Sequence, residues 1–283
     1  MLKTRIITAL VILPIVLVAL FAFPRWGWAA FALAILSAAA WEWRRFCKFT
    51  PGGAVAYYSG LAGAAVVLGG AYFVPPIAPF ANLAMWVFAA ALVFWFLLVP
   101  LWLLRQWRAP SAAIDALAGA VVLVPMLVAL PLLRDVSPWL LLSFAAIVWV
   151  ADIAAYFAGK AFGKHKLAPT ISPGKTIEGV VGGLAGVALY FFLWRWLGAT
   201  FLQGEYWMQA MLAQGGILLL FFLVLGGISV VGDLFESWMK RGAGLKDSSG
   251  LLPGHGGILD RIDALTSTLP VAALFTILIM RAV

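Results

Sequence analysis

The chain has 283 residues, of which 65% are hydrophobic and 11% charged, and its formal net charge is +8. A soluble domain carries about 25% charged residues, so a mean hydropathy of +1.06 excludes an ordinary water-soluble fold and points to a protein built for lipid. The single cysteine, Cys47, excludes an internal disulfide framework and a CxxC metal site, and it reads as a small apolar packing residue.

At the start of the chain, Lys3 and Arg5 precede an apolar run from Ile6 to Phe23, as in a secretory leader. The run is long for a leader, and Pro24-Arg25-Trp26 makes a poor small-residue cleavage site, so an uncleaved first membrane helix is expected. A bilayer core of about 30 Å takes roughly 20 apolar residues in a helix. On that rule nine spans are expected, near 6–23, 27–43, 54–74, 83–104, 114–133, 138–159, 177–197, 212–234 and 264–281. Pro14, Pro125 and Pro131 should bend or end their helices. Long polar stretches occur only at 160–175 and 236–263, and no repeat, low-complexity tail or interdomain linker is visible. The expected fold class is an all-α integral membrane protein, a polytopic helical bundle with a cytoplasmic N-terminus. Residues 1–135 read as five scaffold spans, and residues 136–283 as a four-span catalytic region with two cytoplasmic loops.

Charge placement tests this reading. With the N-terminus inside, 15 Lys and Arg fall in cytoplasmic connections and four (Arg25, Arg134, Arg195 and Arg281) fall outside, as the positive-inside rule requires. The basic residues are dispersed over membrane-facing loops, where anionic lipid headgroups account for them. No nucleic-acid partner is expected.

Acidic residues are not demanded by topology, so their positions say more. Asp152 lies inside the sixth span, about two turns from its cytoplasmic end, and Asp233 and Glu236 end the eighth. Glu178 opens the seventh, while Asp260 and Asp263 precede the ninth. A carboxylate within a span costs at least roughly 2.5–3.5 kcal/mol and faces a partner or a wet cavity. Several hard carboxylates at one depth suit Mg²⁺. A structural account is open too: Asp260 and Asp263 cap the ninth helix or pair with Arg261 or Lys240, and for Asp263 capping is as good an account as function. One Cys and two His 90 residues apart do not make a zinc site.

The first polar loop, Gly159 to Gly179, carries four lysines and a Ser172-Pro173-Gly174-Lys175-Thr176 turn, with a helix opening at Thr176. A helix N-terminus beside a lysine cradles phosphate. The segment ends like a P-loop, but Pro169 stands where the first glycine belongs and no predicted strand precedes it, so a Walker A assignment fails. In the second loop, glycines let the backbone wrap a ligand closely, with Lys240, Arg241 and Lys246 set against Asp247 and Asp260. Such a site suits phosphoryl or nucleotidyl transfer, where positioning and charge neutralisation carry the catalysis. A transporter or flippase of an anionic lipid is the alternative, with Asp152 and Asp233 as coupling-ion sites. The absence of repeats and the gathering of polar residues at one face argue against it.

Within 27 residues the chain presents Ser237, Lys240, Arg241, Lys246 and Asp247, then Pro253, Gly254, His255, Gly256, Gly257, Asp260, Arg261 and Asp263. These positions, with Asp152 to Tyr156, Ser172 to Glu178 and Gly232-Asp233, resemble the phosphatidate cytidylyltransferase (CDP-diacylglycerol synthase) family. Gly174 stands where many members have a second lysine, and the first 140 residues resemble the family only in hydropathy. The resemblance implies cytidylyl transfer from CTP to phosphatidate, giving CDP-diacylglycerol and pyrophosphate for phospholipid synthesis. It implies a multi-pass protein of a bacterial-type plasma membrane with its active site at the cytoplasmic face, and a homodimer whose contacts involve the N-terminal spans. It also implies Mg²⁺ at Asp233, Asp260 and Asp152, with room for a second, monovalent cation such as K⁺. Ser172, Lys175, Thr176, Ser237 and Arg261 would bind CTP or the lipid phosphate. Lys240, Arg241, Lys246, Asp247, His255 and Asp263 would carry the catalysis, His255 as a phosphate donor or as a loop-shaping residue.

Overall fold

The computed structural model describes residues 2–73, 77–109 and 111–282; Val74, the expected end of the third span, and the side chains of Lys3 and Arg5 lie outside the described residues. The helices are α1 (Leu2–Ala22), α2 (Arg25–Trp43), α3 (Pro51–Phe73), α4 (Ile77–Val93), α5 (Val99–Leu104), α6 (Ala112–Val136), α7 (Pro138–Phe162), α8 (Ile177–Phe201), α9 (Tyr206–Leu212), α10 (Gly216–Gly242) and α11 (Leu259–Ala282). Eight of the nine expected spans fall on long helices, with α4 and α5 forming one through a π-turn at Phe94–Leu98, and the eighth opens at the end of the short α9 and crosses the 213–215 turn before α10. Pro100 at the start of α5 cannot donate a backbone hydrogen bond, and the widened turn before it absorbs the defect.

Seven of the described helices are long and apolar enough to cross a membrane, α4–α5 counting as one. The expected nine narrows at α1, whose described apolar stretch Ile6–Ala22 is shorter, and at α2, whose 19 residues include Arg25 and Glu42. The prolines do not end helices. Pro14 lies within α1, and Pro125 and Pro131 lie within α6. Packing against neighbouring helices supplies the continuity that proline alone would break.

The two ends of the bundle differ in chemistry. At one, Arg25 Nε meets Asp135 Oδ2 at 2.9 Å, and Tyr72 Oη donates to the same oxygen at 2.6 Å. Arg134 Nε donates to Leu20 O at 3.1 Å, which ties the α1–α2 turn to the end of α6. At the other end lie both polar loops, with Thr8 Oγ1 donating to Pro253 O at 2.8 Å and Gln106 Nε2 to Thr170 Oγ1 at 3.2 Å. Connections that alternate in this way are what the charge distribution anticipates. Cys47 packs beneath the loop end, and burial pushes its thiol up to about 12.

The second polar stretch is shorter than the sequence suggests. Glu236 to Gly242 continue α10, and α11 begins at Leu259, leaving 243–258 as loop. Asp263 therefore lies in the second turn of α11 and does not cap it. The first loop contains a hairpin, with β1 (Lys166–Ala168) antiparallel to β2 (Ser172–Thr176). A strand thus does lead into α8, although it belongs to a two-stranded hairpin and not to the parallel sheet of a P-loop fold. Burial of Ile171 under the turn gives this short ribbon its anchor.

Two features set α10 in place. Phe235 is ringed by Trp43, Phe94, Trp95 and Trp102, with ring centroids 6.3, 5.5, 5.8 and 5.4 Å away. At Gly232 the helix meets α11 so closely that an added Cβ would come within 2.5 Å of Ser267 Oγ, and Ser267 Oγ donates to Ile228 O at 3.0 Å. Small residues permit this approach. They bring Asp233 on α10 beside Asp263 on α11.

Candidate active site

The site forms where α7, α8, α10 and α11 reach the polar end. On α7, Asp152 stands ten residues before the helix ends at Phe162, about 15 Å along the axis. That is deeper than the sequence suggests, because the helix continues past residue 159. Gly182 and Gly186 of α8 face Ala158 and Ala154 of α7 with no room for a Cβ, and this close packing draws the α8 N-terminus against α7.

Thr176 caps α8, its buried Oγ1 accepting from Gly179 N at 3.1 Å. This satisfies one of the donors that a helix start leaves open. Thr176→Ala is expected to lower stability by about 1 kcal/mol, read as a lower unfolding temperature in detergent, with Thr176→Ser close to the parent. An unchanged temperature for Thr176→Ala would show that the cap contributes nothing. Glu178 braces the hairpin and does not enter the site. It accepts from Lys164 N at 3.1 Å and His165 N at 3.2 Å, and its Oε1 lies 2.6 Å from His165 Nδ1.

Two ion-paired groups carry the charge. Lys175 Nζ contacts Asp233 Oδ2 at 2.7 Å, and Ser237 Oγ donates to Asp233 Oδ1 at 3.3 Å. Asp152 and Asp263 both lie within electrostatic reach of Asp233, and Asp152 also feels Lys175 and Arg261. In the second group, Lys240 Nζ sits 2.5 Å from Glu236 Oε2 and 2.6 Å from Asp260 Oδ1. Lys240 and Glu236 are 8% and 3% exposed, so this is a buried ammonium between two carboxylates. Asp260 Oδ2 accepts from Ser248 N at 2.9 Å, Ser248 Oγ at 3.0 Å and Gly257 N at 2.7 Å. Asp260 thereby shapes the loop and holds Lys240 at once.

The other expected residues spread around these groups. Arg241 Nη1 donates to Leu245 O at 2.9 Å, and Arg241 at the end of α10, Lys246 and Asp247 on the loop, and Arg261 in the first turn of α11 are exposed. His255 is half-buried; its backbone N–H donates to Leu252 O at 2.8 Å, and its Nδ1 has no hydrogen-bond partner among the described residues. Ser172 lines a cavity of about 490 Å³ together with Asp152, Lys175 and Thr176. Val180, Leu184 and Val230 add apolar surface to its lining.

Among the described residues no three of His, Cys, Asp and Glu converge into a complete metal centre. Mg²⁺ does not require one, because it binds through one or two carboxylates plus substrate phosphates and keeps several waters. Asp152 at the cavity, with Asp233 within its electrostatic reach and paired to the cavity-lining Lys175, fits that pattern. Asp260 fits less fully, since its two oxygens already accept from Lys240 Nζ, Ser248 N and Gly257 N and share the Ser248 hydroxyl with Glu42.

One residue that sequence reasoning passed over is Glu42, at the end of α2. It is 0% exposed and accepts four hydrogen bonds from the second loop and the start of α11. The signal was present, because a lone acid at the end of an apolar span is costly. The neighbouring Arg44 and Arg45 disguised it as part of a charged boundary.

Comparison with known proteins bears on the whole chain. Residues 3–279 match the model of the family described as "Cytidylyltransferase family". The chain is 43% identical over 285 residues to a phosphatidate cytidylyltransferase of Pseudomonas aeruginosa, covering 96% of both proteins. It belongs to the phosphatidate cytidylyltransferase family. Further phosphatidate cytidylyltransferases, of Haemophilus influenzae and Thermotoga maritima, are 48% identical over 137 residues and 40% identical over 143. Those alignments cover 48% and 50% of this chain and 45% and 51% of the relatives. Membership in this family places the Lys175–Asp233 and Lys240–Asp260 groups in a multi-pass membrane protein related to bacterial enzymes.

Proposed function

We propose that the chain transfers the cytidylyl group of CTP to phosphatidate, forming CDP-diacylglycerol and pyrophosphate. The observation that carries this reading is the cavity beside the Lys175–Asp233 pair. Its lining combines Asp152, Lys160, Ser172, Lys175 and Thr176 with the apolar Val180, Leu184 and Val230. An amphipathic substrate with a phosphate at headgroup depth and acyl chains in the bilayer matches that mixed lining. CTP then arrives from the cytosolic loops.

In the reaction a phosphate oxygen of phosphatidate attacks the α-phosphorus of CTP. The bond from that phosphorus to the bridging oxygen of the β-phosphate breaks, and its electron pair leaves with pyrophosphate. Lys175, poised at the strand end, exchanges Asp233 for phosphate oxygens, and Ser172, Thr176, Ser237 and Arg261 line the same approach. Arg241 and Lys246 on the loop surface meet the triphosphate, while Asp247 and His255 order the loop around it. Lys240 is held in one place by Glu236 and Asp260, so its charge needs no reorganisation as negative charge shifts to the leaving group. Asp263 adds negative charge next to Asp233. Bound at Asp233 and Asp152, with Asp260 contributing a remaining lone pair, Mg²⁺ would neutralise phosphate charge, and a monovalent ion such as K⁺ would share the carboxylates.

The same reading places the active site at the cytoplasmic face of a bacterial-type plasma membrane. It makes residues 136–283 the catalytic part and residues 1–135 the scaffold of a homodimer. The test is purified protein incubated with radiolabelled CTP, phosphatidate and Mg²⁺. Lipid-linked label and pyrophosphate are expected in equal amounts. Folded protein yielding neither overturns the reading.

A further inference from the structure

Glu42 is the most completely buried acid of the bundle and belongs to the half of the chain read as scaffold. Its Oε2 accepts from Ser248 Oγ at 3.0 Å and Leu259 N at 2.6 Å. Its Oε1 accepts from Ile258 N at 2.9 Å and from the Ser249 hydroxyl. Among the described residues, no ion pair within 4.0 Å includes it. A carboxylate taken from water with no cation beside it costs several kcal/mol, which hydrogen bonds must offset.

All four donors belong to residues 248–259, so the whole of this interaction is directed at one segment. Two of them are open amides at the N-terminus of α11, where a negative charge is favoured by the helix dipole. Glu42 therefore caps a helix from another helix. The loop is fitted to it: a Cβ on Gly257 would collide with Glu42 Oε1 and Ser248 Oγ. The Ser248 hydroxyl lies 3.0 Å from Glu42 Oε2 and 3.0 Å from Asp260 Oδ2. Its single proton serves one carboxylate at a time, which couples the two. From Asp260 the chain of contacts continues to Lys240 at 2.6 Å and on to Glu236 at 2.5 Å.

We propose that Glu42 is a positioning residue for the transfer: through Ser248 and the first amides of α11, it fixes the Asp260–Lys240 pair at the distance the phosphates require. The proposal rests on the cytidylyltransferase reading above. Glu42 touches no substrate. Its effect reaches the reaction as the placement of an ammonium, and a 1 Å misplacement of such a group costs on the order of 100-fold in rate.

The test compares the parent with Glu42→Gln, Ser248→Ala and the double variant, all purified in detergent and assayed with CTP, phosphatidate and Mg²⁺. Glu42→Gln keeps the shape but replaces one acceptor oxygen by a donor. Its kcat is expected to fall on the order of 100-fold, with the KM for CTP changed by less than about threefold, because the pair acts in the transition state. Ser248→Ala should lower kcat in the same direction, and the double variant should be no worse than the more severe single one, as coupled members of one network behave. Folded Glu42→Gln with near-parental kcat overturns the proposal. So does a double variant whose losses multiply. If Glu42→Gln does not fold, Ser248→Ala decides, since it leaves the capping amides in place: near-parental turnover there overturns the proposal. A parent that forms no CDP-diacylglycerol at all removes the underlying reading instead, so the two failures are distinct.

Discussion

Asp233→Asn is expected to lower CDP-diacylglycerol formation by roughly 10³-fold or more, the several kcal/mol that a lost cation ligand removes from transition-state stabilisation. The fold should survive. The Lys175–Asp233 pair has side chains 24% and 28% exposed, and a partly exposed pair of this kind contributes about 1 kcal/mol at most. An unfolding temperature near the parent's, combined with lost turnover, is therefore the expected pattern. Lys175→Met separates two accounts of the acid. If Asp233 served only to park the Lys175 ammonium, the two variants would be equally impaired. If it holds a cation against CTP, Asp233→Asn is the more severe, and it also needs more Mg²⁺ for half of its residual rate. Turnover within about threefold of the parent, at equal Mg²⁺, would remove Asp233 from the site.

Much of this arrangement was legible beforehand, and for identifiable reasons. The spans were readable because hydropathy over about 20 residues is a strong signal. The polar end was readable because Lys and Arg sort by side. Asp152 and Asp233 stood out because an intramembrane acid needs a partner, and Asp233 has one in Lys175. That partner was not foreseeable. Lys175 reaches Asp233 only because the 166–176 segment folds as a hairpin, and the short antiparallel pair has too few residues to show a period. Pairing of Asp260 with Lys240 was open to sequence reasoning, but the burial of Lys240 between Glu236 and Asp260 was hidden for a different reason. Glu236 and Lys240 are four apart on one helix, but Asp260 comes from 20 residues away across a glycine-rich loop. Its approach depends on where α11 begins, and helix starts are the least readable feature of a sequence.

Glu42 alters how the two halves of the chain relate. Composition alone divides the protein into an apolar scaffold and a charged catalytic part. Yet Glu42 on α2 holds the catalytic loop, and Trp43, Phe94, Trp95 and Trp102 enclose Phe235 of α10. Both contacts fix the same two helices, α10 and α11, whose polar-loop halves carry Asp233, Lys240 and Asp260. The N-terminal spans thus hold the loop and the two helices around which the proposed site is built.

Lys240→Met should damage both stability and activity, in contrast to Asp233→Asn. Methionine fills the same volume but leaves Glu236 and Asp260 facing each other, with the Lys240 cation that joined them gone. Breaking a buried charge pair by removing one partner costs about 3–5 kcal/mol, and here one ammonium serves two acids. The unfolding temperature in detergent should fall by several degrees, while transfer drops below detection at the parent's substrate concentrations. Removing the surplus negative charge tests the cause. Combining Lys240→Met with Glu236→Gln should recover a large part of the lost stability, because the like-charge confrontation is relieved. On the role proposed for Lys240 it should recover none of the transfer, because the ammonium is still missing. If the double variant regained turnover, Lys240 would be only a counter-ion for Glu236. If the single variant kept the parent's unfolding temperature, the ammonium would not be the element that holds α10 to the start of α11.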